Sequence, residues 1–119
     1  MSGKIAIVIN SGMDQKEKVL SGLHVAKRIY DARKENSIES VEVFLFTGGV
    51  RSMARLESNS EFRSAIKELV DAGLVIGACS NQAEAYKLKD QLNESKVNLE
   101  FARDAFSRYA VEGYTVLTF

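Results

Sequence analysis

At 119 residues, with 16 basic against 16 acidic side chains, the chain has the size of one domain (residues 1–119) with a core of its own, and no net charge to draw it to nucleic acid or an anionic membrane. A single cysteine, Cys79, and a single histidine, His24, exclude an internal disulfide and the usual Cys/His zinc site, so neither a metal nor a cofactor is expected. No apolar run reaches the length of a membrane span and the opening "MSGKIAIVIN" has no signal-peptide pattern, which implies a cytoplasmic protein with no membrane partner.

The run "KIAIVIN" is apolar, rich in β-branched residues and followed by the turn-forming "SGMD", so residues 4–10 read as a buried strand. From residue 15 to about 34, Val19, Leu20, Leu23, Ala26, Ile29 and Tyr30 recur at helical spacing. "VEVFLF" (41–46) is a second buried strand, stopped by the glycine pair Gly48 and Gly49, and a polar loop carrying Arg51 and Arg55 follows as far as Ser60. Ser60 is the expected N-cap of a helix whose stripe is Phe62, Ile66, Leu69 and Val70, closed by Gly73. "LVIGAC" (74–79) is a third strand; Ser80 or Asn81 then caps a helix from about residue 82 to 92. Phe101, Ala102, Ala105 and Phe106 suit a further short helix, "GYTVLTF" a last strand, and "KVNLEF" permits one more. Strands alternating with helices give a three-layer α/β/α single domain with a mostly parallel sheet covered on both faces.

In such sheets ligands bind outside the carboxyl ends of the strands. Three loops converge there: Asn10, Ser11 and Gly12; Thr47, Gly48 and Gly49; Cys79, Ser80 and Asn81. A lone cysteine is most often a small buried hydrophobe. One at a strand exit just before a helix instead meets the helix's positive end and its free N–H groups, which favour a thiolate. Arg51, with Arg55, is placed to attract an anionic substrate or is simply solvated. Gly48 and Gly49 either admit a ligand to the backbone or end the strand. A Walker A loop and a dinucleotide fingerprint are absent, the acidic residues of a phospho-receiver are replaced by Asn10 and Cys79, and His24 lies mid-helix, far from Cys79. One face of the second strand carries Phe44 and Phe46; with Tyr30, Phe101, Phe106, Tyr109 and Tyr114 this is more aromatic surface than so small a domain hides, which favours self-association.

The segments "KIAIVINSG", "KVLSGLHVAKRI", "VEVFLFTGGV", "VIGACSNQAEAY" and "YTVLTF" together resemble the DsrE/DsrF-like family of small sulfur-relay proteins, the most specific element being the cysteine within "ACSNQA". The resemblance implies a DsrE-like fold, a homotrimer or homohexamer, and a cysteine carrying sulfane sulfur as a persulfide, with Cys79 the matching residue, between sulfur-donor and sulfur-acceptor proteins. The chain departs from the pattern in "KDQLNESKVNLEF", which has no glycine where a turn is expected. The competing reading is a non-catalytic binding or assembly subunit with an inert cysteine. A flavin or nucleotide binder of similar fold lacks its phosphate-cradling loop.

Overall fold

Apolar runs of strand length separated by amphipathic stretches produce five strands and six helices in the computed structural model, which describes residues 2–119. In chain order these are β1 (Gly3–Ile9), α1 (Lys16–Asp31), β2 (Ile38–Leu45), α2 (Gly48–Arg51), α3 (Ser60–Ala72), β3 (Val75–Cys79), α4 (Ser80–Ala85), α5 (Lys89–Glu94), β4 (Asn98–Glu100), α6 (Ala102–Glu112) and β5 (Thr115–Thr118). Short 3-10 turns at Met13–Gln15 and Glu57–Asn59 lead into α1 and α3. The sheet order is β4-β3-β2-β1-β5, and every neighbouring pair is parallel.

From β1 to β4 the chain steps across the sheet in one direction, then returns over three strands to place β5 beside β1. Right-handed crossovers therefore put α1, α3, α4 and α5 on one face and leave α6 as the one helix on the other. Registered residues of parallel strands share a face. Ile5, Ile7 and Ile9 lie beside Val41, Val43 and Leu45, with Ile76 and Ala78 beyond, and all but the half-buried Ile5 are buried under the buried stripes of α1 (Val19, Leu23, Ala26) and α3 (Phe62, Ala65, Ile66, Leu69). The opposite face carries Ala6 and Val8, Glu42 and Phe44, then Val75, Gly77 and Cys79, then Asn98 and Glu100. The sheet is thus covered on both faces, but the α6 face only in its middle, and β5 is exposed along its length.

Several local expectations change. Asn59, not Ser60, precedes α3, and its side-chain amide donates to the carbonyls of Arg51 and Ala54 (3.5 and 3.2 Å), tying down the loop after β2. That loop is not merely polar: Gly48 and Gly49 open the short α2, and Val50 and Met53 are buried. The helix expected over residues 82–92 is two helices. It starts at Ser80 with Cys79 itself as N-cap, and stops where Lys87 takes φ +59° and the Leu88 N–H returns to the Ala83 carbonyl (2.8 Å). Within residues 89–101, where no glycine is present, the turn is made by Lys96 in the left-handed region (φ +60°), and the permitted extra strand exists as β4. Gly73 closes α3 with φ +102°.

Candidate functional site

Because the side chains of β3 alternate, Cys79 points to the α6 face, beneath the start of that helix. It is buried, with 4% of its surface exposed, and opens into a cleft of about 450 Å³ lined also by Phe46, Asn81, Gln82, Phe101, Ala102 and Arg103. Phe46 is fixed edge-on against Phe106 at 5.5 Å, and Phe106 in turn against Phe44, so one wall is an aromatic cluster pinned by α6. Phe101, which precedes α6, and Arg103 stand exposed at the mouth, where Arg103 pairs with Asp104 (3.0 Å).

A hydrogen-bonded chain connects the strand exits. Gln82 receives the Thr47 N–H on its side-chain oxygen (2.6 Å), Thr47 Oγ1 donates to the Asn10 carbonyl (2.7 Å), and the Asn10 and Ser11 N–H groups donate to the Phe119 carbonyl (2.9 and 3.2 Å). A backbone N–H needs an oxygen acceptor, so this bond sets the Gln82 amide and directs its NH2 end away from Thr47. Thr47 holds φ +47°, unusual for a β-branched residue.

Of the residues expected around the thiol, Asn81 lines its cleft; Thr47 reaches it through Gln82, and Asn10 through Thr47. Ser80 begins α4 without lining the cleft. Gly12, Gly48 and Arg51 line a different groove, of about 380 Å³, with Asp14, Ser52 and Asn59. Gly49 is buried against β1, its missing β-carbon leaving room for the Ile9 carbonyl. Arg51 is engaged with Tyr86, donating to its hydroxyl (3.0 Å), and Arg55 pairs with Glu94 (2.6 Å). His24 is exposed on α1, on the opposite face of the sheet from Cys79.

Sequence reasoning missed the polar network under α6. Arg108 makes a two-point pair with Glu42 (3.0 and 2.9 Å) and a second with Glu100 (3.0 and 3.3 Å). The Tyr114 hydroxyl donates to Glu42 (2.8 Å) and meets Ser40 Oγ at 2.7 Å. Burial pushes the Glu42 carboxyl up, but the bonds from Arg108 and Tyr114 outweigh it and hold the group below the usual carboxylate range. The paired carboxylates, Glu42 first, hold Arg108 charged well beyond its ordinary range. Charged residues spread through helical segments read as solvated surface; only the sheet register reveals that these three meet. Among the described residues no cluster of His, Cys, Asp or Glu is placed to hold a metal, and no helix is long and apolar enough to cross a membrane.

A family model described as the DsrE/DsrF-like family matches residues 3–119. Among solved structures, the chain is similar to the conserved protein of unknown function BT1422 from Bacteroides thetaiotaomicron, with TM-score 0.73 and 15% identity over 96% of this chain and 94% of that one. It is also similar to the protein of unknown function MTH1491 from Methanobacterium thermoautotrophicum, with TM-score 0.69 and 22% identity over 99% of this chain and 100% of that one. At these identities the likeness speaks to the fold. A search of curated proteins returned no match.

Proposed function

The chain belongs to the DsrE/DsrF-like family, and from that premise we propose that it is an intracellular sulfur carrier, with Cys79 as the carrying residue. One observation carries the reading: the only thiol of the chain stands at the carboxyl end of an interior strand, in the N-cap position of α4 though its side chain makes no hydrogen bond to the N–H groups there, and opens into a cleft with aromatic walls and a cationic residue at its mouth. Fold alone assigns no chemistry, so the proposal rests on that thiol.

In the first step the Cys79 thiolate attacks a sulfane sulfur of a polysulfide, thiosulfate or a partner's persulfide. A sulfur–sulfur bond forms to Cys79, the donor's sulfur–sulfur bond breaks, and its electron pair leaves with the shortened polysulfide, sulfite or partner thiolate. In the second step an acceptor thiolate attacks the outer sulfur of the Cys79 persulfide, and Cys79 departs as thiolate. The two exchanges balance with no external oxidant. Since the chain has no second cysteine, the persulfide has no internal thiol with which to close a disulfide, and its sulfur must leave with another molecule. Self-association as a homotrimer or homohexamer belongs to the same proposal.

Intact-mass measurement after polysulfide treatment tests the reading. Wild type gains sulfur in steps of about 32 Da while Cys79→Ser gains none; equal adducts on both, or none on either, defeat it. The near-complete burial of Cys79 favours a second reading, an inert cysteine in a binding or assembly subunit. Iodoacetamide separates the two, because alkylation near neutral pH no faster than that of a free thiol supports the second.

A further inference from the structure

The network under α6 lies beside the candidate thiol, and the sheet register says how. Cys79 on β3 is registered with Glu100 on β4, so both side chains rise from the same face on adjacent strands. Such neighbours stand about 5 Å apart at their β-carbons. Glu42, on β2, is registered with Val75, one full repeat of the pleat below Gly77. A guanidinium that grips both Glu42 and Glu100 has to pass over β3 between them, and the residue of β3 facing α6 at that level is Gly77, which has no side chain. A β-carbon on Gly77 would lie 3.1 Å from the Phe44 ring, tighter than ordinary contact, so the gap is kept by the packing around it.

A carboxylate beside a thiol opposes loss of the thiol's proton, since like charges at this range disfavour each other. Glu100 would do so if it stood alone. We infer that Arg108 is a positioning residue for the Cys79 thiolate, holding the neighbouring Glu100 carboxylate in a two-point ion pair across Gly77 and offsetting part of its charge at the sulfur. The inference rests on Cys79 acting as a thiolate nucleophile. The other ionisable groups packed around the thiol are accounted for. Arg103 and Asp104 pair with each other at the mouth; Glu84 on α4 is exposed; Glu42 stands on the other neighbouring strand but is registered with Val75, four residues below Cys79, and receives a hydrogen bond from Tyr114; Tyr109 is buried on the inner side of α6.

The pH dependence of iodoacetamide alkylation of Cys79 provides the test, measured on wild type, Arg108→Met, Glu100→Gln and the double variant. Arg108→Met is expected to raise the midpoint by about one pH unit, which slows alkylation about tenfold below the midpoint. Adding Glu100→Gln should return the midpoint to the wild-type value, a rescue that a merely structural role for Arg108 does not produce. An unchanged midpoint in Arg108→Met, or an equal rise in the double variant, overturns the inference. Should Arg108→Met fail to fold by circular dichroism, Glu100→Gln alone decides: it keeps the Arg108–Glu42 fork, and its midpoint is expected below wild type, an unmoved one counting against the role. Sulfur loading is read separately by mass. A profile that shifts in a protein taking up no sulfur removes the relay and leaves this role for Arg108 standing.

Discussion

Gly49 allows β1 and α2 to approach more closely than any other residue would permit. A β-carbon there would fall inside contact distance of the Ile9 carbonyl, and one on Gly48 would lie 2.5 Å from the Gly12 nitrogen. Backbone cannot yield as a flexible side chain can, so Gly49→Ala is expected to cost more than about 2 kcal/mol, visible as a drop in the urea midpoint with the slope unchanged. The glycine pair thus lets backbone approach backbone at the strand exits. Cys79 itself was legible because a thiol at the end of an apolar run is conspicuous. The network beside it was not, since Glu100 and Arg108 belong to two other elements and are set on the same face of the sheet by register and crossover, which leave no local trace in the sequence. Gln82 did carry a faint signal, as a glutamine three residues after the N-cap, where such a side chain ordinarily bonds back to its own helix; here it bonds to Thr47.

Among the elements, the break between α4 and α5 shows most clearly what pattern alone overlooks. Residues 82–92 keep helical periodicity, yet the Lys87 backbone turns left-handed without a glycine. Lys87→Gly removes that conformational cost and adds some unfolded-state entropy; the net is a gain of about 0.5–1 kcal/mol, read as a rise of a few degrees in Tm. The junction of β2 with α6 has a pH signature. Glu42 titrates lower when folded than when unfolded, so its contribution is present above the unfolded carboxylate value near 4.3 and fades as pH falls through the lower folded value. Urea titrations between pH 7 and pH 3 should therefore show wild type losing stability more steeply below about pH 4.5 than Glu42→Gln. Parallel loss in the two proteins would mean that the Arg108 bridge does not couple to folding.

At the scale of the whole molecule, four of the five strands, their alternation with helices and their parallel pairing followed from apolar runs such as Ile5 to Ile9, while the three-residue β4 was only permitted by the pattern. The asymmetry of the two layers did not, because it depends on the last crossover alone. That asymmetry bears on assembly. Tyr109 and Phe44, counted among the aromatics in excess, are buried between α6 and the sheet, whereas Phe106 on α6, Phe101 and Val75 near it, and Val116 and Leu117 on β5, stay exposed. A partner covering them would remove apolar area worth about 25 cal/mol per Å². Light scattering coupled to size exclusion at micromolar concentration should give the mass of a trimer or hexamer, and a single-chain mass across the dilution series would contradict it. The position of β5 also matters during synthesis. β1 leaves the ribosome ahead of the strands it pairs with, and one of these two neighbours lies about a hundred residues further on, so that at roughly 5–20 residues per second it arrives about 5–20 s later. For that interval the buried strand Ala6 to Ile9 has an open edge. That edge stays open until β5 emerges, so the length of the exposure is set by the distance in sequence between β1 and β5.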